Sequence, residues 1–325
     1  MRVITAEDLA RLFTYPDLIE ALRAAFSRNV VTPVRHHHTI EIADEPEATL
    51  LLMPAWDDLS ASVAPAPGGG FLGVKIVAVH PGNAVRGKAS VSGFYCLMAG
   101  GTGEKLAVID GSALTLWRTA AASALAASYL ARKEARRLVM VGAGALAPHL
   151  IAAHASVRPI ADVAIWNRSR PRAELLARAL QGRFHAVHVA DDLGAAVHGT
   201  DIVSCATLAR DALVKGEWLK DGTHLDLVGA YTPEMRESDD DAVARASVFV
   251  DTRAGAMKEA GDIVQPLRDG VIRGEDIRGD LFDLCRGAVA GRRSEDEITL
   301  FKSVGTAVED LAAARLAFAK YRPAG

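Results

Sequence analysis

The sequence predicts an α/β fold in two parts: a doubly wound parallel sheet and a second domain. Three observations carry that prediction. Arg137-Leu-Val-Met-Val141 is an apolar strand that ends in Gly142-x-Gly144-x-x-Ala147 and turns into a helical pattern. A second strand over residues 162–167 and a helix over 171–180, with Pro171 in its first turn, follow as another βαβ unit. Finally, 325 residues, half of them apolar, leave room for a second core beyond a nucleotide domain of common size.

Taken in order, residues 5–29 have apolar positions at helical spacing interrupted by Pro16, which predicts a short helix and then a longer one from about Tyr15. Strands are expected at 34–42, 49–54, 73–80 and 90–99, where β-branched and apolar residues alternate or concentrate between polar breaks. The Pro- and Gly-rich stretch 64–70 is one such break. The Ala-rich segment within 115–132 predicts a helix whose small residues allow close packing. Further strands are expected at 223–228 and 246–251, and 299–321 reads as a terminal helical pattern. The acidic run 238–241 is expected to be a solvated helix start. No internal repeat is visible.

The formal charge of −3 and the absence of basic runs interleaved with aromatics argue against nucleic-acid and membrane surfaces, so the expected partners are small molecules. Cys96, Cys205 and Cys285 are odd in number and lack metal-ligand spacing, as expected in a reducing compartment. Charges near the amino terminus and the lack of a spanning apolar run predict a cytoplasmic protein. His36 and His38 would share a strand face, but no second ligand cluster accompanies them; a polar strand or pocket rim is expected, and no metal.

The glycine motif supplies a reason for nucleotide binding. Gly142 permits the tight turn, Gly144 leaves space for a pyrophosphate, Ala147 lets the helix approach the sheet, and the helix amino terminus offers unpaired N–H groups to phosphate. Gly142, Ala143, Gly144, Ala145 and Leu146 are therefore expected at the cofactor. A site specific for NAD would carry Asp or Glu at the end of the second strand. Here Asn167 is followed by Arg168, Ser169 and Arg170, which suits a 2′-phosphate and predicts NADP(H), with NAD(H) as a further possibility.

Four segments occur in an order that closely resembles the ornithine cyclodeaminase and mu-crystallin family. They are Gly-Val-Lys75-Ile-Val-Ala-Val-His-Pro-Gly-Asn83, the run from Leu106 through Leu-Trp-Arg118-Thr-Ala-Ala121, Gly142-Ala-Gly144, and Thr299-Leu-Phe-Lys-Ser-Val-Gly305. The resemblance implies a Rossmann NADP-binding domain over 119–304. It also implies an α+β substrate and dimerisation domain over 1–118, completed by the C-terminal helix in 305–325. Arg35, Lys75 and Arg118 look like its cationic substrate-binding residues, with Glu259 and Gly305 lining the same pocket. Ser90, Arg118, Asn167, Arg168, Ser169, Thr207, Val228 and Ser303 look like cofactor contacts. A homodimer is implied, with the Ala-rich and terminal helices as its packing surfaces.

Physical chemistry gives these residue types a task. A guanidinium such as Arg118 can grip an amino or imino acid carboxylate with two parallel hydrogen bonds, and Arg35 adds positive charge. A lysine within an apolar strand, desolvated beside cations, acquires a pKa useful for proton transfer, which leaves a catalytic role open for Lys75, and the family resemblance implies that role, together with Arg118. The alternative is an edge-strand lysine that discourages aggregation.

Family cyclodeaminases carry an aspartate where this chain has Tyr231, and a phenol with an unperturbed pKa near ~10 is a poor base at neutral pH. Asp226 is not expected to replace it, since it points away from the face of Leu225 and Leu227. With the NADP-type strand end, this favours net reduction of a cyclic ketimine, Δ1-pyrroline-2-carboxylate or Δ1-piperideine-2-carboxylate, to proline or pipecolate. Ornithine cyclodeaminase, alanine dehydrogenase and a mu-crystallin-type NADPH-dependent binding protein are the alternatives.

Overall fold

The computed structural model describes residues 1–60 and 69–322; residues 64–68 of the expected Pro- and Gly-rich break lie outside them. The strands, in chain order, are β1 (Arg2–Ile4), β2 (Val30–Val31), β3 (His36–Ile40), β4 (Ala48–Asp57), β5 (Phe71–Val79), β6 (Val91–Ala99), β7 (Lys105–Asp110), β8 (Arg137–Val141), β9 (Asp162–Trp166), β10 (Ala186–Val189), β11 (Ile202–Cys205), β12 (His224–Leu227), β13 (Ser247–Val250), β14 (Ile277–Asp280) and β15 (Thr299–Lys302). The α-helices are α1 (Ala6–Leu12), α2 (Tyr15–Ser27), α3 (Gly111–Leu130), α4 (Ala147–Val157), α5 (Arg170–Leu180), α6 (Leu193–His198), α7 (Asp240–Arg245), α8 (Arg253–Glu259), α9 (Gly261–Arg268), α10 (Leu281–Cys285) and α11 (Ala307–Lys320). The chain divides into two compact units, Met1–Arg118 with Thr306–Gly325, and Thr119–Gly305. No helix of the described residues is long and apolar enough to cross a membrane.

In the first unit the break between α1 and α2 is made by a second N-cap. Thr5 caps α1 in a reciprocal box with Asp8, and the Thr14 hydroxyl accepts from the Asp17 N–H at the start of α2. Pro16 then falls in the first turn, where its missing N–H costs nothing. The strands form a seven-stranded sheet in the order β1-β7-β6-β5-β4-β2, with β3 also paired to β4. All its pairings are antiparallel except β1 with β7.

One rung of this sheet positions the chemistry. Ile4, Ile109, Tyr95, Lys75 and Met53 stand side by side across five strands, and every one is buried. Helix α11 packs against β4, β5 and β6, and against α2. Lys75 therefore lies in an interior strand between β4 and β6, which removes the edge-strand alternative. Gly73, two residues earlier, has no side chain because one would collide with the Tyr95 ring: an added Cβ would lie 2.3 Å from its hydroxyl.

The second unit is a doubly wound parallel sheet of eight strands in the order β10-β9-β8-β11-β12-β15-β13-β14. The chain runs from β8 outward to β10 and then returns to β11 on the other side, so the order reverses between β8 and β11. In such sheets, nucleotides bind beyond the strand carboxyl ends at this reversal. The terminal helical pattern expected over 299–321 needs correction. Thr299–Lys302 is β15, paired with β12 and β13 in the middle of the sheet, and the helix begins only at Ala307. A strand buried on both faces is apolar continuously, so Ile298, Leu300 and Phe301 carry no period that distinguishes strand from helix.

Candidate active site

Four charged side chains meet in the core of the first unit. The Lys75 ammonium donates to Asp310 Oδ1 at 2.9 Å and lies 3.4 Å from the Thr115 hydroxyl. Arg118 Nε is 3.0 Å from the same Asp310 oxygen, and its Nη1 donates to Glu309 Oε2 at 2.6 Å. Both carboxylates are 0% exposed, and Lys75 and Arg118 are buried too. Burial first, then the neighbouring Arg118 charge and more weakly Arg35, lower the Lys75 pKa to about 8 against the opposing pull of Asp310. Burial alone would raise the Asp310 carboxyl, but the charges of Lys75 and Arg118 hold it below the usual carboxylate range.

Three elements from distant parts of the chain supply this cluster. Lys75 comes from β5, Arg118 from α3, and the two acids from the first turn of α11. Arg35 precedes β3, is half-buried, and reaches the cluster through its charge. Sequence reasoning missed Glu309 and Asp310. Acids in a first helical turn ordinarily serve the helix dipole in solvent. The available signal was their setting, Thr306-Ala-Val-Glu-Asp-Leu-Ala-Ala-Ala314, an otherwise apolar run with no solvated face.

In the second unit, Gly142 takes φ +110°, and a Cβ there would lie 2.7 Å from the Ala206 carbonyl, so glycine is required where the loop approaches the chain after β11. Beside Gly144 there is open space. Gly144 and Ala145 are exposed, Ala143 and Leu146 half-buried, and no side chain caps the amino terminus of α4. This combination fits a dinucleotide pyrophosphate. Asn167 Oδ1 accepts from the Ala143 N–H at 3.1 Å, and its amide donates to the Ser169 carbonyl. Arg168, Ser169 and Arg170 are exposed. Arg170 is engaged with Glu174 and Asp191, whereas the Arg168 side chain makes no hydrogen bond or ion pair among the described residues.

Buried carboxylates hold the loops after the strands. Glu237 accepts from the Thr207 N–H and hydroxyl at 2.6 and 2.8 Å and from the Gly229 N–H at 2.7 Å. It thereby ties together the segments containing Thr207 and Val228. Asp251 Oδ2 accepts from the Ser303 hydroxyl and from the Val304 and Gly305 N–H groups. Burial raises the Glu237 pKa despite the nearby Lys302, with Asp262 adding to the rise. Asp226 is wholly buried and accepts from Ser123 and Ser204, with His154 at 3.0 Å. It is part of a buried polar network.

Other expected positions are dispersed. Ser90 precedes β6 in the first unit, while the remaining expected cofactor contacts, apart from Arg118, belong to the second. Glu259 is half-buried at the end of α8 in the second unit. Tyr231 is 44% exposed. His36, His37 and His38 are exposed on β3, with the His36 and His38 rings 6.4 Å apart on one face. Asp239 caps α7 as expected, though Ser238 is buried rather than solvated.

The ornithine cyclodeaminase/mu-crystallin family model matches residues 2–323. Delta(1)-pyrroline-2-carboxylate reductase of Paracoccus denitrificans is 39% identical, covering 87% of this chain and 89% of that one. The Thermococcus litoralis Delta(1)-pyrroline-2-carboxylate reductase, solved with NADH and L-proline, superposes with a TM-score of 0.88 at 32% identity, covering 98% and 97% of the two chains. An archaeal alanine dehydrogenase dimer with bound NAD superposes at 0.87 with 28% identity, covering 98% and 95%.

Proposed function

The chain belongs to the ornithine cyclodeaminase/mu-crystallin family, and from that premise we propose that it reduces a cyclic ketimine, Δ1-pyrroline-2-carboxylate or Δ1-piperideine-2-carboxylate, to L-proline or L-pipecolate. It is an oxidoreductase of the CH–NH class that uses a nicotinamide dinucleotide. The observation that carries the substrate reading is the buried lysine of lowered pKa, held beside an arginine.

Arg118 takes the substrate carboxylate, which places the imine carbon, and Arg35 adds positive charge to the same region. Lys75 gives its proton to the imine nitrogen, making C2 electrophilic. A bound reduced dinucleotide supplies the hydride that completes the reduction. Glycine at 142 and 144, the uncapped start of α4, and the loops held by Glu237 and Asp251 are the parts of this chain that would hold it. The neutral Asn167 and exposed Arg168 support NADPH over NADH, whereas the T. litoralis structure contains NADH. Tyr231, standing where a cyclodeaminase has a carboxylate, supports reduction over ammonia release.

The same reading includes a homodimer, through a different surface from the helices expected. The Ala-rich stretch of α3 and most of α11 are buried within the chain. The sheet face opposite Lys75 carries apolar rungs Pro54–Val74–Cys96–Val108–Val3 and Leu52–Ile76–Phe94. These residues are half-buried or exposed, Val3 at 61% and Phe94 at 43%. A second copy of the chain would cover such a face.

Oxidation of NADPH and NADH should be followed with the five- and six-membered ketimines, with pyruvate plus ammonia as control. Faster turnover of a ketimine supports the reading. Equal or faster turnover of pyruvate with ammonia replaces it with alanine dehydrogenase chemistry, and ammonia release from ornithine without added cofactor replaces it with cyclodeamination.

A further inference from the structure

We propose that Asp310 is a positioning residue of the reduction, its carboxylate holding the Lys75 ammonium for proton delivery, while Glu309 orients Arg118. The assignment rests on the reading of Lys75 as the proton donor.

The two acids are neighbours on α11 but do different things. Asp310 Oδ1 bridges the cluster, 2.9 Å from Lys75 Nζ and 3.0 Å from Arg118 Nε. Glu309 touches Arg118, at 2.6 Å. Helix α11 is seated on β5, the strand that carries Lys75, so Asp310 reaches the ammonium from a rigid element rather than a loop. A lysine has four rotatable side-chain bonds; a fixed carboxylate removes much of that freedom and determines where the proton-bearing nitrogen sits.

The carboxylate also has an electrostatic role during transfer. Before the step, the cation is on Lys75. Afterwards the N–H bond to Nζ has broken, a new N–H bond exists on the imine nitrogen, and the positive charge has moved there. Asp310 remains an anion throughout, so the cation leaves one site within its field for another. Without that anion, Lys75 would be buried beside Arg118 with no carboxylate in contact with its ammonium among the described residues, and burial and Arg118 would oppose its charge. The other groups facing the pair are Arg35, Glu309 on α11, the Thr115 hydroxyl on α3, and the buried Tyr95 hydroxyl on β6. Asp57, at the end of β4, and Arg315, farther along α11, form an ion pair with each other. Of these anions, Asp310 is the one in contact with Lys75.

The test compares Asp310→Asn with Glu309→Gln in the full-length enzyme, reading the pH profile of kcat/KM for ketimine reduction, the separate kcat and KM, and dinucleotide binding by fluorescence. Reduction needs Lys75 protonated, so its alkaline limb follows the lysine. Asp310→Asn should move that limb down by about 1 to 3 pH units, lower kcat, and leave dinucleotide affinity within about twofold. Glu309→Gln should raise KM with the limb unmoved. If Asp310→Asn folds and keeps the wild-type limb, the inference is wrong. Should it fail to fold, Asp310→Glu decides: the longer side chain retains charge but displaces the contact, so reduced kcat with an unmoved limb supports the assignment and unchanged kcat overturns it. Lys75→Ala separates the two levels. If that variant turns over normally, the donor reading itself falls; if it is inactive while Asp310→Asn behaves as wild type, only the role of Asp310 falls.

Discussion

The chain contains a fully buried lysine in each unit, and their surroundings differ in sign. Lys75 touches one carboxylate and has two arginines within reach of its charge, and its pKa falls to about 8. Lys302, at the end of β15, lies 3.2 Å from Asp262 and 4.0 Å from Glu237, both wholly buried. Carboxylates outnumber it, and those carboxylates hold backbone amides: Glu237 those of Thr207 and Gly229, and Asp262 those of Glu237 and Ser238. One lysine has neighbours that loosen its proton. The other completes an anionic clamp that keeps loops in place. Burial of a charged group therefore does not mark chemistry by itself; the charges around it decide.

Removing each ammonium should break that comparison in different observables. Lys75→Ala should lower kcat/KM by about 10³-fold, the range of a lost general acid, while dinucleotide affinity stays within about twofold. Lys302→Met should act on stability. It leaves two buried carboxylates without their cation, which costs about 3 to 5 kcal/mol and lowers the Tm by on the order of 10 °C. It should also weaken dinucleotide binding, because Thr207 and Gly229 depend on Glu237. If calorimetry showed Lys302→Met as stable as wild type while Lys75→Ala unfolded, the two roles would have to be exchanged.

The sequence carried these two lysines unequally. Lys75 stood out because a cation inside Gly-Val-Lys-Ile-Val-Ala-Val is an anomaly in a strand pattern, but that pattern alone fits an edge-strand lysine equally well, and the family resemblance is what favoured catalysis. Lys302 lay in a run that resembled the start of the terminal helix, and its strand became recognisable only through pairing with β12 and β13. The nucleotide-type α/β character of the second unit was visible from Gly142 and the strands flanking it, since each is a local apolar run, whereas the strand order rests on the pairing. Short strands such as β1, β2 and β14 carry too few residues for a period. Glu309 and Asp310 were hidden for another reason. Their partners are 235 residues away in the case of Lys75 and 191 in that of Arg118, and no local spacing reports such contacts.

Two smaller effects sharpen the account of the first cluster. Arg118→Lys keeps the charge but loses the planar fork, and should raise KM by about 10- to 100-fold, the worth of a charge-assisted hydrogen bond or two. The pH dependence follows from Lys75. With a folded value of about 8 against 10.5 for an ordinary lysine, reduction should decline by about tenfold per unit above pH 8, and the reverse oxidation, which needs the neutral amine, should rise. The stability sign is opposite. A lysine with a depressed pKa opposes folding fully below pH 8, and that cost shrinks as pH rises from 8 toward 10.5, so this group cannot cause unfolding over that interval. An alkaline loss of reduction accompanied by a matching loss of folded protein would show that the limb is not Lys75.

The smallest expected effect concerns the cofactor end of the second unit, where two arginines near the second strand differ in occupation. Arg170 is held by Glu174 and Asp191, and a guanidinium already paired with two carboxylates has little attraction left for a phosphate. Arg168 is exposed, and among the described residues its side chain makes no hydrogen bond or ion pair. Arg168→Ala should therefore reduce the ratio of kcat/KM for NADPH to that for NADH by about tenfold, one charge-assisted contact. Arg170→Ala should change the ratio by less than about twofold, because it removes exposed pairs that contribute little. Equal losses in both variants would mean that Arg170 abandons its carboxylates for the 2′-phosphate. No loss in either would mean that Asn167 and Ser169 set the cofactor ratio without a cation.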